Sequence, residues 1–178
     1  MFEMRELSRE DIPAINSWRA DRDTIGLLGA PYRFINQEVD EAWFEQYMRS
    51  RGGTVRCVTV DSELPSEPLC LITLAGIDWV NRSAELHVMA SPSARNRGVG
   101  TFSVEFMLEH AFLDLGLNRV ELDVLATNAR ALHVYEKAGF KSEGRRRQAV
   151  WKPSGYVDLI HMAVLSGWFE HKAEARSR

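Results

Sequence analysis

The sequence predicts an α/β (α+β) fold: a mixed, mostly antiparallel, twisted sheet of six to seven strands with helices on both faces. Three observations predict it. Short apolar runs with strand-like alternation recur along the chain, separated in places by amphipathic stretches of helical period. Short turns join neighbouring runs in the middle and at the end of the chain, which favours antiparallel hairpins. One long amphipathic stretch separates the runs at 84–90 and 119–125, and such a crossover gives a parallel pair. The 178 residues fit one domain with a sizeable core.

The elements follow in order. Phe2 to Leu7 alternates and reads as a short strand. Ser8 and Asp11 form an S-x-x-D capping signature for a helix running to about Arg19, with Pro13 early in it and Ile12, Ile15 and Trp18 on one face. Ala20 to Asn36 holds Gly26, Gly29 and Pro31 without a clear period and reads as a loop with room for a short helix. Asn36 caps a second helix over 37–50 that Gly52-Gly53 ends. Strands follow at Val55–Val60, Leu69–Asp78 and Ala84–Ala90, with turns over 61–68 and at Asn81-Arg82. A helix over 101–115 ends at Gly116, a C-cap. A strand at Arg119–Leu125 leads to a helix from Asn128 to Ala138, closed by Gly139. Phe140–Trp151 and Gly155–Leu165 form the last hairpin, and the polar tail 170–178 is expected to fray.

Composition narrows the function classes. A net charge of −3 argues against binding nucleic acid through its phosphates. No apolar run approaches the roughly 18 residues that span a membrane, and Met1–Glu6 lacks the apolar core of a signal peptide. Cys57 and Cys70 have neither metal nor redox spacing and sit in apolar strands, so they read as buried reduced thiols of a cytoplasmic protein. No metal site is expected.

The chemistry concentrates in Ser91-Pro92-Ser93-Ala94-Arg95-Asn96-Arg97-Gly98-Val99-Gly100, between the strand at 84–90 and the helix at 101–115. Glycines at a helix start let a ligand approach the backbone. The unpaired N–H groups of the first turn and the positive end of the helix dipole favour an anion there. Gly98, Val99, Gly100 and Thr101 therefore read as a phosphate cradle, with Arg95, Asn96 and Arg97 either joining it or lying as a solvated turn. A dinucleotide fingerprint starting at Gly98 fails, because Ser103 stands at its third glycine and a long loop separates strand from glycine. A Walker loop fails because no Lys-Ser/Thr follows.

Arg95-x-x-Gly98-x-Gly100 resembles the acetyl-CoA pyrophosphate motif of the GNAT acetyltransferase superfamily, Q/R-x-x-G-x-G/A. Asn128-x-x-Ala131-x-x-x-Tyr135-x-Lys137-x-Gly139-Phe140 is similar to that family's next motif. The likeness covers roughly residues 80 to 165. Gly155-Tyr156-x-Asp158, Leu7-x-x-Glu10-Asp11 and Trp18 look like the ribosomal-protein-alanine and polyamine branch. The resemblance implies one N-acetyltransferase domain over 1–178, with acceptor-side helices in 1–50 and an acetyl-CoA-binding core in 80–165. It implies a splayed parallel pair at 84–90 and 119–125, with pantetheine entering the gap and bonding the open edge at Leu86, Val88 and Met89. Asn128, Ala131 and Tyr135 share one helix face and, with Lys137, would line the coenzyme arm.

Tyr135 is the expected general acid toward the departing thiolate, against the alternative of a core tyrosine with a backbone partner. A protonated amine cannot attack, so a base is required. Glu85 and His87 project from one face of their strand, and either could serve, directly or through water. The structural alternatives are a sheet-surface salt bridge for Glu85 and a hydrogen-bonded sheet histidine for His87. Trp18, Asp21, Asp23, Tyr32, Trp43, Trp151, Tyr156 and Asp158 are candidates for the acceptor pocket. The expected reaction is acetyl transfer from acetyl-CoA to a primary amine, a small molecule or a peptide N-terminus, in a ternary complex. The alternative is a non-catalytic acyl-CoA-binding module. A homodimer through the last hairpin is plausible, with no nucleic-acid or membrane partner.

Overall fold

Strand pairing is antiparallel everywhere except at the centre of the sheet. The computed structural model describes residues 1–169, so the tail 170–178, expected to fray, lies outside the described residues. The described residues form seven strands: β1 (Phe2–Glu6), β2 (Val55–Asp61), β3 (Leu64–Asp78), β4 (Ser83–Ala90), β5 (Arg119–Leu125), β6 (Lys141–Lys152) and β7 (Gly155–Leu165). Their order in the sheet is β1-β2-β3-β4-β5-β7-β6. The parallel pair β4–β5 holds for three positions only, Ser83 with Arg119, Ala84 with Val120 and Glu85 with Glu121. From Leu86 onward the edge of β4 that faces β5 has no strand partner, and the two strands splay.

The helices are α1 (Ile12–Ala20), α2 (Arg22–Gly26), α3 (Gln37–Arg49), α4 (Val99–Glu109) and α5 (Ala129–Ala138). They divide between the two sheet faces as the alternation of the strands requires. On one face Met107, Leu108, Ala111 and Ala138 pack against Ile72, Leu74, Leu122 and Met162. On the other, Ile12, Ile15, Trp18 and Phe44 pack against Val58, Val60, Leu71 and Met89. Burying each such side chain is worth about 1.5–3 kcal/mol relative to exposure.

Two local features differ from the sequence expectation, and one short helix falls where the sequence left room for it. The first helix begins as a 3-10 turn at Arg9–Asp11 before α1. The short helix for which 20–36 had room is α2, capped by the Asp21 side chain, which accepts from the N–H groups of Asp23 and Thr24. Strand β3 starts at Leu64, so the turn expected over 61–68 shrinks to two residues. Pro65 and Pro68 give that stretch the look of a loop, but the strand passes through them with two register shifts against β2.

Asp11 anchors α1 to the sheet. Its carboxylate is buried, takes two hydrogen bonds of 2.8 Å from the Arg5 guanidinium and accepts from the Ser8 N–H at 2.9 Å. Burial alone would raise its pKa, but the Arg5 and Ser8 hydrogen bonds win and hold it below the usual value. A depressed folded-state pKa contributes stability above the unfolded value, and that contribution is lost as pH falls through the folded one. Asp11→Asn should therefore cost about 2–3 kcal/mol near neutral pH and shrink the loss of stability on acidification, as read from thermal melts across the acid range.

Candidate active site

The splay of β4 and β5 opens a cleft of about 980 Å³ that runs from the start of α4, across the C-terminal halves of both strands, to α1 and α3. Of the residues singled out in the sequence, it is lined by Glu85, Leu86, His87, Val88, Met89, Arg95, Asn96, Gly98, Val99, Gly100, Thr101, Asn128, Ala131 and Tyr135. Arg97 and Lys137 do not line it. The two loop arginines part because Asn96 between them takes a left-handed conformation, with φ at 64°. Arg95 turns inward, where its guanidinium reaches Thr24 Oγ1 at 2.8 Å and Asp21 Oδ2 at 3.3 Å. Arg97 turns outward to Asp61 Oδ2, at 3.3 Å.

The head of α4 is built to accept an anion. Gly98 stands at its N-cap with φ at 81°, a conformation that favours glycine. No side chain caps the helix, which leaves first-turn N–H groups directed at the cleft. A Cβ built on Gly98 or Gly100 meets nothing within 4 Å, so the space beside these amides is free. Side chains of this loop leave the mouth clear, and the residues fit a diphosphate on the main chain. Across the cleft, the Asn128 carboxamide accepts from the Ala131 N–H at 3.1 Å, which caps α5, and donates to the Leu27 carbonyl at 3.0 Å. It thus acts as a strut between α5 and the loop after α2.

Glu85 and His87 project from the face of β4 that looks toward α1 and α3. Their side chains are about half exposed, and His87 Nε2 lies 3.7 Å from Glu85 Oε2. Tyr135 reaches the cleft from α5, with its ring edge-on to Phe140 at 5.7 Å. No hydrogen bond engages its hydroxyl among the described residues, which leaves the proton available. Burial pushes its pKa well above the ordinary phenol value, so the hydroxyl stays protonated through the neutral range. Neither cysteine suits nucleophilic catalysis. Burial raises Cys57 to about 11 and Cys70 to about 12, so thiolate is scarce at neutral pH. Among the described residues no cluster of three or more His, Cys, Asp or Glu side chains forms a metal site, and no helix is long and apolar enough to cross a membrane.

The acceptor end differs most from the sequence expectation. Of its eight candidates only Trp43 lines the cleft. Trp18 is core, and Asp21 is committed to capping α2 and pairing with Arg95. Tyr32 carries the Arg22 guanidinium over its ring, and Asp158 accepts from Arg145 and from the Gln148 N–H. Trp151 and Tyr156 meet edge to face on the exposed hairpin. Asp23 adds nothing to the cleft wall.

In their place stand Arg19, Arg56 and, behind the wall, Lys152. Arg19 and Arg56 both lie over the Trp43 ring, at 4.7 and 4.2 Å from its centroid. Arg19 is paired at 2.5 Å with the buried Asp40. The buried ammonium of Lys152 donates to three main-chain carbonyls, those of Ile25, Leu28 and Ala30, at 3.0, 2.6 and 2.9 Å. It clamps the loop whose Ile25, Leu28 and Ala30 form one side of the cleft. The one sequence signal for Arg56 is a charge interrupting the apolar face of β2. Lys152, at the end of a hairpin turn, carries no signal, since its partners lie at the other end of the chain.

A cleft between splayed strands, with bare amides at a helix head and an unengaged tyrosine facing it, defines an acyl-coenzyme A-dependent transferase. The acetyltransferase (GNAT) domain family matches residues 2–141, and the chain belongs to this family. It is an N-acetyltransferase that draws its acetyl group from acetyl-CoA. A spermidine N(1)-acetyltransferase of Vibrio cholerae is 28% identical over 172 residues, 96% of either chain. A putative ribosomal N-acetyltransferase of Bacillus subtilis, YdaF, is 30% identical over 103 residues, 57% of this chain and 56% of the relative. These relatives fall in the branch that the terminal motifs resemble. Among solved structures, the V. cholerae spermidine N-acetyltransferase in complex with CoA and spermine shares the fold with a TM-score of 0.87, at 23% identity, over 94% of this chain and 97% of that one.

Gly98→Val tests the cradle. A β-branched side chain is strained at this φ and projects into the free space beside the amides. Coenzyme A affinity, measured by calorimetry, should fall at least tenfold, and a wild-type value would show that the main chain here is not the phosphate site.

Proposed function

We propose that the protein acetylates a primary amine by direct attack in a ternary complex, with Glu85 as base, His87 beside it, and Tyr135 as general acid. The observation that supports this most is the placement of the Glu85–His87 pair and the free Tyr135 hydroxyl along one cleft, separated by the unpaired edge of β4. Bound acetyl-CoA supplies the activated acetyl group. Glu85 takes a proton from the ammonium, directly or through a water that His87 helps to hold. The nitrogen lone pair then forms the new C–N bond as the C–S bond breaks. Tyr135 gives its proton to the departing sulfur, and the nitrogen releases its second proton to solvent, from which Tyr135 is reprotonated. Free N–H groups on the β4 edge at 86–89 stabilise charge on the carbonyl oxygen. Asn96, Asn128 and Ala131 belong to the coenzyme arm, whereas Arg97 and Lys137 act at most from its rim. The raised cysteine pKa values disfavour a covalent acetyl-thiol route.

The first test is turnover of acetyl-CoA by the purified protein against a panel of amines, amino acids and N-terminal peptides. Coenzyme binding without turnover on any acceptor would leave a binding module instead. Tyr135→Phe should lower kcat by about 10- to 1000-fold with coenzyme affinity kept, and an unchanged kcat would remove the acid from Tyr135. Glu85→Gln should lower kcat/KM by about 100-fold and flatten the gain in rate toward alkaline pH. An unaltered profile would assign the proton to His87 or to solvent.

A further inference from the structure

Resting on that reading, we infer that the acceptor amine carries a carboxylate a few bonds from its nitrogen, and that Arg56 holds this carboxylate. The sheet register sets the geometry. Arg56 pairs with Thr73, and Thr73 with His87, so the three side chains form one row on one face across β2, β3 and β4. Strand spacing of about 4.8 Å puts the Arg56 and His87 backbones about 10 Å apart. A guanidinium reaching inward from one strand and the Glu85–His87 pair on the other leave a span of a few bonds.

Arg56 is a cation without an anion. Its guanidinium lies over Trp43 and Tyr47, at 4.2 and 4.9 Å from the ring centroids. Its Nε is buried with no hydrogen-bond acceptor, and it forms no ion pair among the described residues. Such a donor has a cost that a bound carboxylate would relieve, and the planar fork matches a carboxylate in two-point contact. The other charges at this end are already matched or point the same way. Arg19 belongs to Asp40. Asp123 is held by Arg146 and His161, each at 2.9 Å. Arg33 lines the cleft and has no ion pair among the described residues. One available carboxylate, Glu85, therefore shares the cleft with the two unmatched guanidiniums of Arg33 and Arg56. A polycation would meet like charge here, and an amino acid or an acidic peptide N-terminus would meet its complement.

Matched pairs of acceptors test this on the full chain with acetyl-CoA: β-alanine against its amide, glutamate against its diamide, peptides beginning Ala-Glu against Ala-Gln, and spermidine beside them. Each carboxylate should exceed its amide in kcat/KM by tenfold or more, and both should exceed spermidine. Preference confined to the peptide pair would place the carboxylate on a peptide, and preference for β-alanine or glutamate would place it on a free amino acid. Arg56→Gln should collapse the ratio toward one, with Arg56→Lys retaining part of it. Calorimetry of the same acceptors on the coenzyme A-loaded protein reads the discrimination without turnover. Carboxylate-to-amide ratios near one in both assays, or a preference for spermidine, would overturn the inference while leaving the acetyltransferase reading intact. No turnover of any acceptor would overturn that reading instead. Should Arg56→Gln fail to fold, the wild-type ratios alone decide.

Discussion

The short registry of β4 with β5 is the constraint on which the rest depends. A parallel pair that continued past Glu85 and Glu121 would close the sheet and leave no cleft. Because it stops, one edge of β4 keeps its amides free, and the two apolar layers can part between the strands without exposing either core. The other five strand pairs of the sheet are antiparallel and mostly long, so the opening is confined to one seam. The head of α4 is reached from β4 through the loop 91–98, and the head of α5 from β5 through the short turn 126–128. Divergence of the strands therefore sets the distance between the phosphate cradle and the tyrosine.

Much of this was legible in the sequence because it is local. Gly98 and Gly100 at a helix start, Asn36 and Asn128 as caps and the spacing of Asn128, Ala131 and Tyr135 are written within single turns. Alternation in the strands and the crossover between 84–90 and 119–125 gave the sheet and its parallel pair. Where local signals conflicted, the reading fell short. Pro65 and Pro68 disguised the start of β3.

The acceptor side was not legible because its chemistry is set by partners far away in the chain. Asp21 reads as an exposed acid until Arg95 is seen against it. Arg56 becomes a site residue only through the register that aligns it with His87 across β3. Of the aromatics on this side, Trp18 lies in the core, Trp151 and Tyr156 lie on the outer hairpin, and Trp43 alone reaches the cleft. The cleft wall was left to arginines and to a loop.

Lys152 gives that loop a particular dependence on chain order. The three carbonyls that receive its ammonium belong to residues 25–30, and nothing made earlier in synthesis can replace it. The coenzyme half of the cleft, from β4 to α5, leans on the same hairpin, since β5 pairs with β7 along its whole length and Leu159 lines the cleft. The acceptor wall is fastened only when the turn between β6 and β7 has formed. The last part of the chain to be made thus completes both halves of the cleft.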